Sequence, residues 1–311
     1  MSVGEIVLIA ADLAVALLLA VWFTGLYFGI KRLVKPDKRT VDYLVEYEIE
    51  EKGLDRAITG IPFEQMFRTS RFGYELAARF YACEGSSKTV VCLHGHNSCF
   101  ASQLKYLPIF LSLGYNVFIP DHRRSGLSGG DTVTFGAYEK HDVLDWISEL
   151  RARRPEDSVA LFGESMGAAT AIMVAAEIPD AVFLIDYCGY ANFEGLLTRY
   201  TDNEDIRKAV MPSIRLIAEH CFGFEVKECD ALEAIKRVSC PILIMHSKAD
   251  KTVNYKNALM LKEAAPQAEL HTFPDSVHAR SITQYPDEYA DTVKEFVRKA
   301  EAAYARREND A

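Results

Sequence analysis

Short apolar runs alternate with longer amphipathic segments from residue 89 to the end of the chain. The runs are rich in Val, Ile, Leu and Phe, which is typical of buried strands. They are Thr89–Leu93, Asn116–Ile119, Val159–Phe162, Ala181–Ile185, Ile242–Met245 and Glu269–Phe273. The predicted helices are Ser102–Leu113, Ala137–Arg151, Met166–Glu177, Asn254–Ala264 and Glu288–Ala302. This alternation predicts an α/β fold, with a mostly parallel central sheet covered by helices on both faces.

Two segments of different character precede this alternation. Thr40–Ile61 is charged and contains Gly53 and Gly60, which predicts a helical linker that ends in a turn. Glu64–Ala82 carries aromatic residues on both sides of Arg71-Phe72-Gly73, which predicts a β-hairpin.

The first thirty residues are almost entirely apolar. Between Ile6 and Ile30 only Asp12 and Thr24 interrupt the apolar side chains. As a helix this stretch spans about 37 Å, enough to cross a hydrocarbon core of about 30 Å. We therefore predict a single transmembrane helix. A cleaved signal peptide fits less well, because the run is long and no Lys or Arg precedes it; a buried soluble helix is a third reading.

Charge predicts the orientation of this helix. Basic residues follow the span, and only Glu5 and the terminus precede it. The basic residues are Lys31, Arg32, Lys35, Lys38 and Arg39. The positive-inside rule then places the C-terminal bulk in the cytoplasm. Aromatic residues suited to the same membrane interface are Trp22, Phe23, Tyr27 and Phe28.

One interval breaks the alternation of strands and helices. About fifty residues, from 188 to 240, separate two predicted strands and contain apolar helical clusters. An insertion of this length between sheet strands is typical of a cap or lid, although a helical excursion without a gating role is an alternative. The predicted organisation is an anchor (1–35), a linker (36–62) and an α/β domain (63–305) with this cap.

Composition narrows the function classes. The net charge of −9 argues against a nucleic-acid partner. The seven cysteines include no C-x-x-C pair, so we expect neither a zinc site nor a thioredoxin-like motif. Free thiols in a reducing compartment are favoured over a disulfide framework, which agrees with a cytoplasmic domain.

The segment Gly163-Glu164-Ser165-Met166-Gly167 carries the clearest chemistry. It directly follows the apolar run Val159–Phe162 and directly precedes a predicted helix. A strand, a sharp turn with serine and then a helix form a nucleophile elbow. Glycines on both sides of the serine let the turn close. The alternative is an ordinary glycine-rich turn.

A serine nucleophile needs a base, and the base needs an orienting acid. His278 follows the last predicted strand, and Asp250 follows the strand before it, so both should meet Ser165 at one edge of the sheet. Asp186, at the end of another strand, is the rival acid. Taken singly, Asp250 could be a turn residue and His278 a solvated loop residue. His246 directly follows the predicted strand Ile242–Met245 and is expected to pack.

The oxyanion of a tetrahedral intermediate also needs donors. The residue after the nucleophile, Met166, supplies one backbone N–H, and His96 in the loop after Thr89–Leu93 is the candidate for the other. His94 and His96 resemble a metal pair, but no third ligand is spaced near them, so we predict no metal site.

These motifs occur in an order that resembles the α/β-hydrolase superfamily, over roughly Phe63 to Ala302. The matching positions are His94-Gly95, Asp121-His122-Arg123 with Gly126 and Ser128, Gly163–Gly167, Asp250 and His278. More narrowly, the sequence is similar to membrane-anchored bacterial hydrolases of the serine-aminopeptidase and monoglyceride-lipase-like branch. Arg124 stands where that pattern has glycine. The resemblance implies ester hydrolysis more often than peptide cleavage.

The function expected from the sequence is therefore a serine esterase or lipase-like enzyme that forms an acyl-enzyme on Ser165 and uses no cofactor. The apolar insertion and the tether favour a small-molecule ester with an acyl chain or a lipid origin. A serine peptidase or an acyltransferase on the same site is an alternative. A membrane-tethered binding module with an inactive triad is another.

Overall fold

The computed structural model describes residues 1–201 and 203–310. Within these residues eight strands form one sheet. The strands are β1 (Glu64–Thr69), β2 (Glu75–Tyr81), β3 (Lys88–Leu93), β4 (Asn116–Pro120), β5 (Ser158–Glu164), β6 (Leu184–Tyr187), β7 (Ile242–Ser247) and β8 (Glu269–Phe273). Their order across the sheet is β1-β2-β4-β3-β5-β6-β7-β8, with β2 antiparallel to both of its neighbours and the other pairs parallel. The predicted α/β fold is confirmed.

Helices precede the sheet, connect its strands and close the chain. They are α1 (Val3–Val34), α2 (Val41–Glu50), α3 (Leu107–Ser112), α4 (Glu139–Arg153), α5 (Met166–Ala175), α6 (Phe193–Leu196), α7 (Glu204–Phe222), α8 (Ala231–Ile235), α9 (Lys256–Ala264), α10 (Ser281–Gln284) and α11 (Pro286–Asp310). Short 3₁₀ turns cover Arg56–Gly60, Phe100–Tyr106, Leu197–Arg199 and Val226–Glu228.

The strands bury both of their faces, as the apolar runs predict. Along β3, Val91 and Leu93 pack in one core cluster, whereas Val90 and Cys92 pack in the other. This separation follows from the two-residue period of a strand. The first cluster includes α4, α5 and α9, and the second includes α2, α3 and α11. A helical layer therefore covers each face.

Two predicted elements differ from the structure. The helix predicted over Ser102–Leu113 is a 3₁₀ turn followed by α3, because Pro108 lacks an N–H and cannot continue an α-helix from the preceding turn. The predicted strand Ala181–Ile185 is shifted to Leu184–Tyr187. The shift carries buried Asp186 into the ladder opposite Gly163, although aspartate is uncommon in strands.

The apolar helix α1 has two parts. Its N-terminal part is exposed, and it is long and apolar enough to cross a membrane. Length and composition alone do not separate such a span from an N-terminal signal sequence. The C-terminal part packs on the core of the α/β fold, where Ile30 and Val34 are buried. Tyr27 stacks on Phe222 of α7 at 5.6 Å, so this predicted interface aromatic contacts the segment between β6 and β7.

The predicted linker also packs on the domain. Leu44 of α2 is buried in the second core cluster, and Leu54 joins it there. The predicted hairpin is confirmed, because β1 pairs with β2 from Glu64↔Phe80 to Thr69↔Glu75. The segment between β6 and β7 is helical, as predicted, and contains α6, α7 and α8.

Candidate active site

The turn between β5 and α5 holds Ser165 in an unusual backbone conformation. Ser165 has φ 57° and ψ −116°, a strained geometry for a residue with a side chain. A Cβ on Gly163 would lie 2.3 Å from the carbonyl oxygen of Gly167, and a Cβ on Gly167 would lie 2.1 Å from that of Leu93. Both positions therefore require glycine, and the turn has the form of a nucleophile elbow.

His278 and Asp250 meet this serine at the same edge of the sheet. The Nε2 of His278 lies 2.9 Å from the Oγ of Ser165, and its Nδ1 lies 2.6 Å from Oδ2 of Asp250. The other oxygen of Asp250 accepts the backbone N–H groups of Thr252 at 2.8 Å and Val253 at 2.9 Å. Asp250 therefore stabilises a turn, which was the alternative role considered from the sequence, and it also contacts His278.

A second histidine contacts the same carboxylate. The Nε2 of His246 lies 3.3 Å from Oδ2 of Asp250 and 2.9 Å from the carbonyl oxygen of Val253, and the His246 side chain is buried. Burial alone would raise the pKa of Asp250, but the hydrogen bonds from His246 and His278 outweigh burial and hold this pKa well below its usual range. Asp250 is therefore ionised at neutral pH. From the sequence, His246 was expected only to pack; the sequence feature that indicates this contact is its position four residues before Asp250.

The rival acid lies in a different environment. Asp186 is buried within β6, where its Oδ1 accepts the N–H of Gly189 at 3.1 Å. Its Oδ2 has no hydrogen-bond partner among the described residues. Burial raises the pKa of Asp186 to about 7, although His246 opposes this shift. A carboxyl group that is half protonated near neutral pH would stabilise an imidazolium less well than Asp250.

Both candidate oxyanion donors border the same cavity. Met166 begins α5, and the loop of His96 passes beside the serine, since a Cβ on Gly95 would lie 3.3 Å from Cβ of Ser165. Neither the His96 nor the Met166 backbone N–H has a hydrogen-bond partner within the described chain. The side chain of His96 is engaged elsewhere: its Nε2 donates to the carbonyl oxygen of Leu33 at 2.7 Å. The end of α1 is thus joined directly to this loop.

The cavity in front of Ser165 encloses about 300 Å³. Part of its lining is apolar and comes from the loop before α4 and from the segment between β6 and β7. Its residues are Phe135, Tyr190, Phe193, Leu196 and Leu197. The other side comes from α2 and its neighbours and carries charged residues. These are Arg39, Glu48 and Lys52. The cavity therefore offers space for an apolar group beside a charged rim.

A buried ionic cluster lies beneath the charged rim. The Nζ of Lys105 lies 2.9 Å from Glu164 and 3.6 Å from Glu48 of α2, and Glu164 also accepts the hydroxyl of Tyr106. Burial alone would lower the pKa of Lys105, but the two carboxylates outweigh burial and raise it. This cluster was not predicted from the sequence. The position of Glu164 beside Ser165 was its only sequence signal.

The described histidines and cysteines do not favour a metal site. Ligand atoms of Cys188, Asp250 and His278 lie within 4.8 Å of one another. However, the 2.6 Å between Asp250 and His278 is a hydrogen-bond distance, shorter than the separation of two ligands on a tetrahedral zinc ion. Burial raises the pKa of the Cys188 thiol well above its usual value, which disfavours the thiolate that a metal needs.

His94 and His96, which resemble a metal-binding pair in the sequence, form hydrogen bonds within the protein instead. Nδ1 of His94 donates to the carbonyl oxygen of Gly95 at 2.8 Å, while its Nε2 accepts the backbone N–H of His122 at 2.9 Å. Both ring nitrogens of His94 are therefore occupied, and its role is to join two loops of the site.

Comparisons with known proteins agree with this fold. A family model described as "alpha/beta hydrolase fold" matches residues 88–183. An uncharacterized protein of Bacillus subtilis (strain 168), YqkD, is 35% identical over 251 residues, which cover 76% of this chain and 81% of that protein. The monoglyceride lipase of Rattus norvegicus is 24% identical over 232 residues, 63% of this chain and 77% of the lipase. Among solved structures, esterase Pf2001 of Pyrococcus furiosus superposes with a TM-score of 0.68 at 22% identity, covering 86% of this chain and 98% of the esterase.

The chain belongs to the α/β-hydrolase family. Within this family it is similar to the monoglyceride-lipase-like branch, and it is an enzyme of the hydrolase class.

Proposed function

We propose that this protein is a serine esterase that forms an acyl-enzyme on Ser165. One observation carries the proposal: His278 lies within hydrogen-bond distance of Ser165 on one ring nitrogen and of Asp250 on the other. A base that contacts both a nucleophile and an orienting acid is the arrangement that activates a serine hydroxyl. The low pKa of Asp250 supports its assignment as the acid.

The reaction follows from these contacts. His278 takes the proton of Ser165 as Oγ bonds to the acyl carbon, and Asp250 stabilises the resulting imidazolium. The backbone N–H groups of His96 and Met166 donate to the oxyanion. The tetrahedral intermediate expels the alcohol, which receives the proton from His278. A water molecule then attacks the acyl-enzyme by the same route, releases the acid and restores Ser165. Each step uses only side chains, backbone groups and water.

The substrate class follows from the apolar lining of the cavity. Phe135, Phe193 and Leu197 offer a surface for an acyl chain, so we propose an ester with an acyl chain or a lipid origin. We also propose that residues 1–35 anchor the enzyme as a single-pass helix. Residues 36–62 then connect the anchor to a cytoplasmic domain (63–305), and the segment 188–240 is its cap. The basic residues after the exposed part of α1 support this orientation.

The test is hydrolysis of p-nitrophenyl esters by the full-length protein in neutral detergent. We expect Ser165→Ala to lower turnover by about 10³-fold or more. Ser112→Ala is the matched control, because Ser112 lies in α3 and bonds only its own helix at Ile109. Near-normal turnover by Ser165→Ala would refute the assignment. Failure of Ser165 to react with a fluorophosphonate probe would instead support the alternative of a binding module with an inactive triad.

The same assay separates the alternatives within enzymes. Amino-acid arylamides replace the esters to test peptidase activity, and an added alcohol acceptor tests acyl transfer. We expect hydrolysis of the esters to exceed both. Faster cleavage of the arylamides than of the esters would identify a peptidase.

A further inference from the structure

A second, larger opening lies beside the site cavity. A groove of about 1220 Å³ runs between the C-terminal part of α1 and helix α7. Gly25 and Gly29 lie one turn apart along its α1 side, and a Cβ at either position would meet no other atom within 4 Å. Ile206, Val210 and Ile214 form the opposite side. The groove therefore has apolar walls and room for a guest along the helix axis.

The charged side chains that line the groove are mostly basic. Among the described residues its lining includes six basic side chains and one acidic side chain, Asp37. The basic residues are Lys31, Arg32, Lys35, Arg39, Arg199 and Arg207. Arg207 contacts Glu194 at 3.8 Å, but Lys35, Arg39 and Arg199 form no ion pair within the described chain. Unpaired cations beside an apolar surface complement an amphiphile with a negative charge.

The groove is continuous with the cavity in front of Ser165. Leu33, Arg39, Leu197 and Arg199 line both spaces. The two arginines therefore stand at the junction, between the groove and the serine. Guanidinium groups suit phosphate because they form paired hydrogen bonds with its oxygens.

The groove also begins where the exposed part of α1 ends. Leu19 and Val21 are exposed, whereas Leu26 and Ile30 pack on the domain. The exposed residues 3–22 extend about 30 Å as a helix, which matches a hydrocarbon core. In the membrane orientation proposed above, the groove opens at the headgroup level.

From these observations we propose that the groove is the entrance for a single-chain acyl ester with a phosphate headgroup. The ester enters from the lipid surface, its phosphate binds Arg39 and Arg199, and its acyl carbon reaches Ser165. A cavity of about 300 Å³, at the lower end of ligand pockets, favours one chain over two. This inference rests on the proposed esterase activity of Ser165 and adds its substrate class.

The first experiment compares two esters of the same chain length. Lysophosphatidate and monopalmitoylglycerol, both with a palmitoyl chain, are presented at one mole fraction in neutral detergent micelles to the full-length enzyme. We expect a kcat/KM about tenfold or more higher for lysophosphatidate. The double variant Arg39→Ala/Arg199→Ala should reduce this preference about tenfold or more, mainly through KM. Arg215→Ala is the matched control, because Arg215 lies on α7 and outside the groove.

A second variant tests the path without changing charge. Gly29→Leu fills the groove and should lower the rate with both micellar esters relative to water-soluble p-nitrophenyl butyrate, by about tenfold. Gly4→Leu adds the same side chain at the exposed start of α1 and should leave this ratio unchanged. Palmitoyl lysophosphatidylcholine, a zwitterion, tests whether the net charge or the phosphate alone is recognised.

Three results would overturn the inference. The first is equal kcat/KM for the two palmitoyl esters, and the second is equal loss with both in the arginine variant. The third is a Gly29→Leu enzyme with normal rates on both micellar esters. If the oligomeric state of this variant has changed, the groove is instead an interface between two α1 helices. In each case hydrolysis of p-nitrophenyl butyrate would leave the proposed function intact. If no ester is cleaved and Ser165 stays unlabelled, the proposed function itself fails.

Discussion

The cavity beside Ser165 has two walls whose polar groups are held in different ways. In the catalytic wall, formed by Ser165, Met166 and His278, the serine and histidine side chains are fixed by hydrogen bonds of 2.6 to 2.9 Å that continue to Asp250. In the anchor-side wall, formed by Leu33, Arg39 and Lys52 with Arg199 of the cap, the two arginines are exposed and form no ion pair in the described chain.

The difference separates two tasks. Fixed, buried hydrogen bonds hold a base and an acid in one geometry, which is what a repeated chemical step needs. Exposed cations beside apolar surface keep their charge available for a ligand. On the proposed function, the catalytic wall would set the reaction, and the anchor-side wall would set which molecules reach it. The following changes test this division.

The largest effect is expected in the catalytic wall. Asp250→Asn preserves the size of the side chain but removes the charge that fixes the tautomer of His278. We expect kcat for p-nitrophenyl esters to fall about 10⁴-fold. The measurement is single-substrate kinetics on the full-length enzyme in detergent.

The matched control is the same substitution at the rival acid. Asp186→Asn should change kcat by less than about threefold, because Asp186 does not contact His278 within the described residues. If Asp186→Asn is the more damaging of the two, the acid has been assigned to the wrong strand.

A second large effect, on stability, is expected at the buried ionic cluster that links α2 to the rest of the domain. Lys105→Met leaves Glu48 and Glu164 buried without their cation. Removing one partner of a buried ion pair costs about 3 to 5 kcal/mol of the free energy of unfolding. Urea unfolding, followed by the fluorescence of buried Trp146, measures this loss of unfolding free energy.

Lys236→Met is the control for this variant. Lys236 pairs with Glu233 on the surface, where both side chains are about half exposed, and surface pairs contribute little. If Lys105→Met lowers the free energy of unfolding no more than Lys236→Met does, the ionic cluster does not hold α2 in place.

The sequence predicts the catalytic wall well because parallel strands end at one edge of the sheet. Ser165, Asp250 and His278 each follow an apolar run, so the alternation itself brings them together. The structure places their side chains in contact, whereas their catalytic roles remain predictions. Boundaries were predicted less well where one residue controls them, as at Pro108, or where a polar residue lies in a strand, as at Asp186.

The anchor-side wall could not be read from the sequence in the same way. Residues 36–62 were predicted as a linker, because a ten-residue amphipathic helix does not reveal which surface it contacts. The ion pair of Glu48 with Lys105 and the groove between α1 and α7 join segments far apart in the chain. No local spacing indicates such pairs, so they become visible only in three dimensions.

A smaller effect is expected behind the catalytic wall, and it depends on pH. Burial raises the folded-state pKa of Asp186 to about 7, whereas an unfolded aspartate titrates near its ordinary value of about 3.9. The folded state therefore binds more protons between these values, so stability from this residue is present at low pH and is lost as pH rises towards 7. Asp186→Asn carries no titrating proton and should lack this loss.

The measurement is urea unfolding of both proteins between about pH 4.5 and pH 7. The stability of Asp186→Asn relative to the native enzyme should increase over this range by about 3 kcal/mol. Asp121 and Asp142, whose pKa values burial also raises to about 6, titrate in both proteins and cancel in the difference. A difference that does not change with pH would mean that Asp186 is ionised in the folded enzyme.

The smallest effect is expected at Arg124, which bonds the segment that follows α1. Arg124 has φ 61°, a left-handed conformation, at the position where the family pattern has glycine. Its Nη2 donates to the carbonyl oxygen of Pro36 at 3.2 Å. Arg124→Gly removes strain of about 1 kcal/mol and also removes a hydrogen bond of similar value, so its net change in unfolding free energy should be below about 1 kcal/mol.

Arg124→Ala separates the two contributions. Alanine loses the bond to Pro36 but keeps the left-handed strain, so it should be about 1 kcal/mol less stable than the glycine variant. Both variants should speed amide hydrogen exchange around residue 36 relative to the native enzyme, since both lose the bond to Pro36 that holds this segment. If exchange there is unchanged, the anchor-side wall is held without Arg124, and the arginine in place of glycine has no structural benefit at this turn.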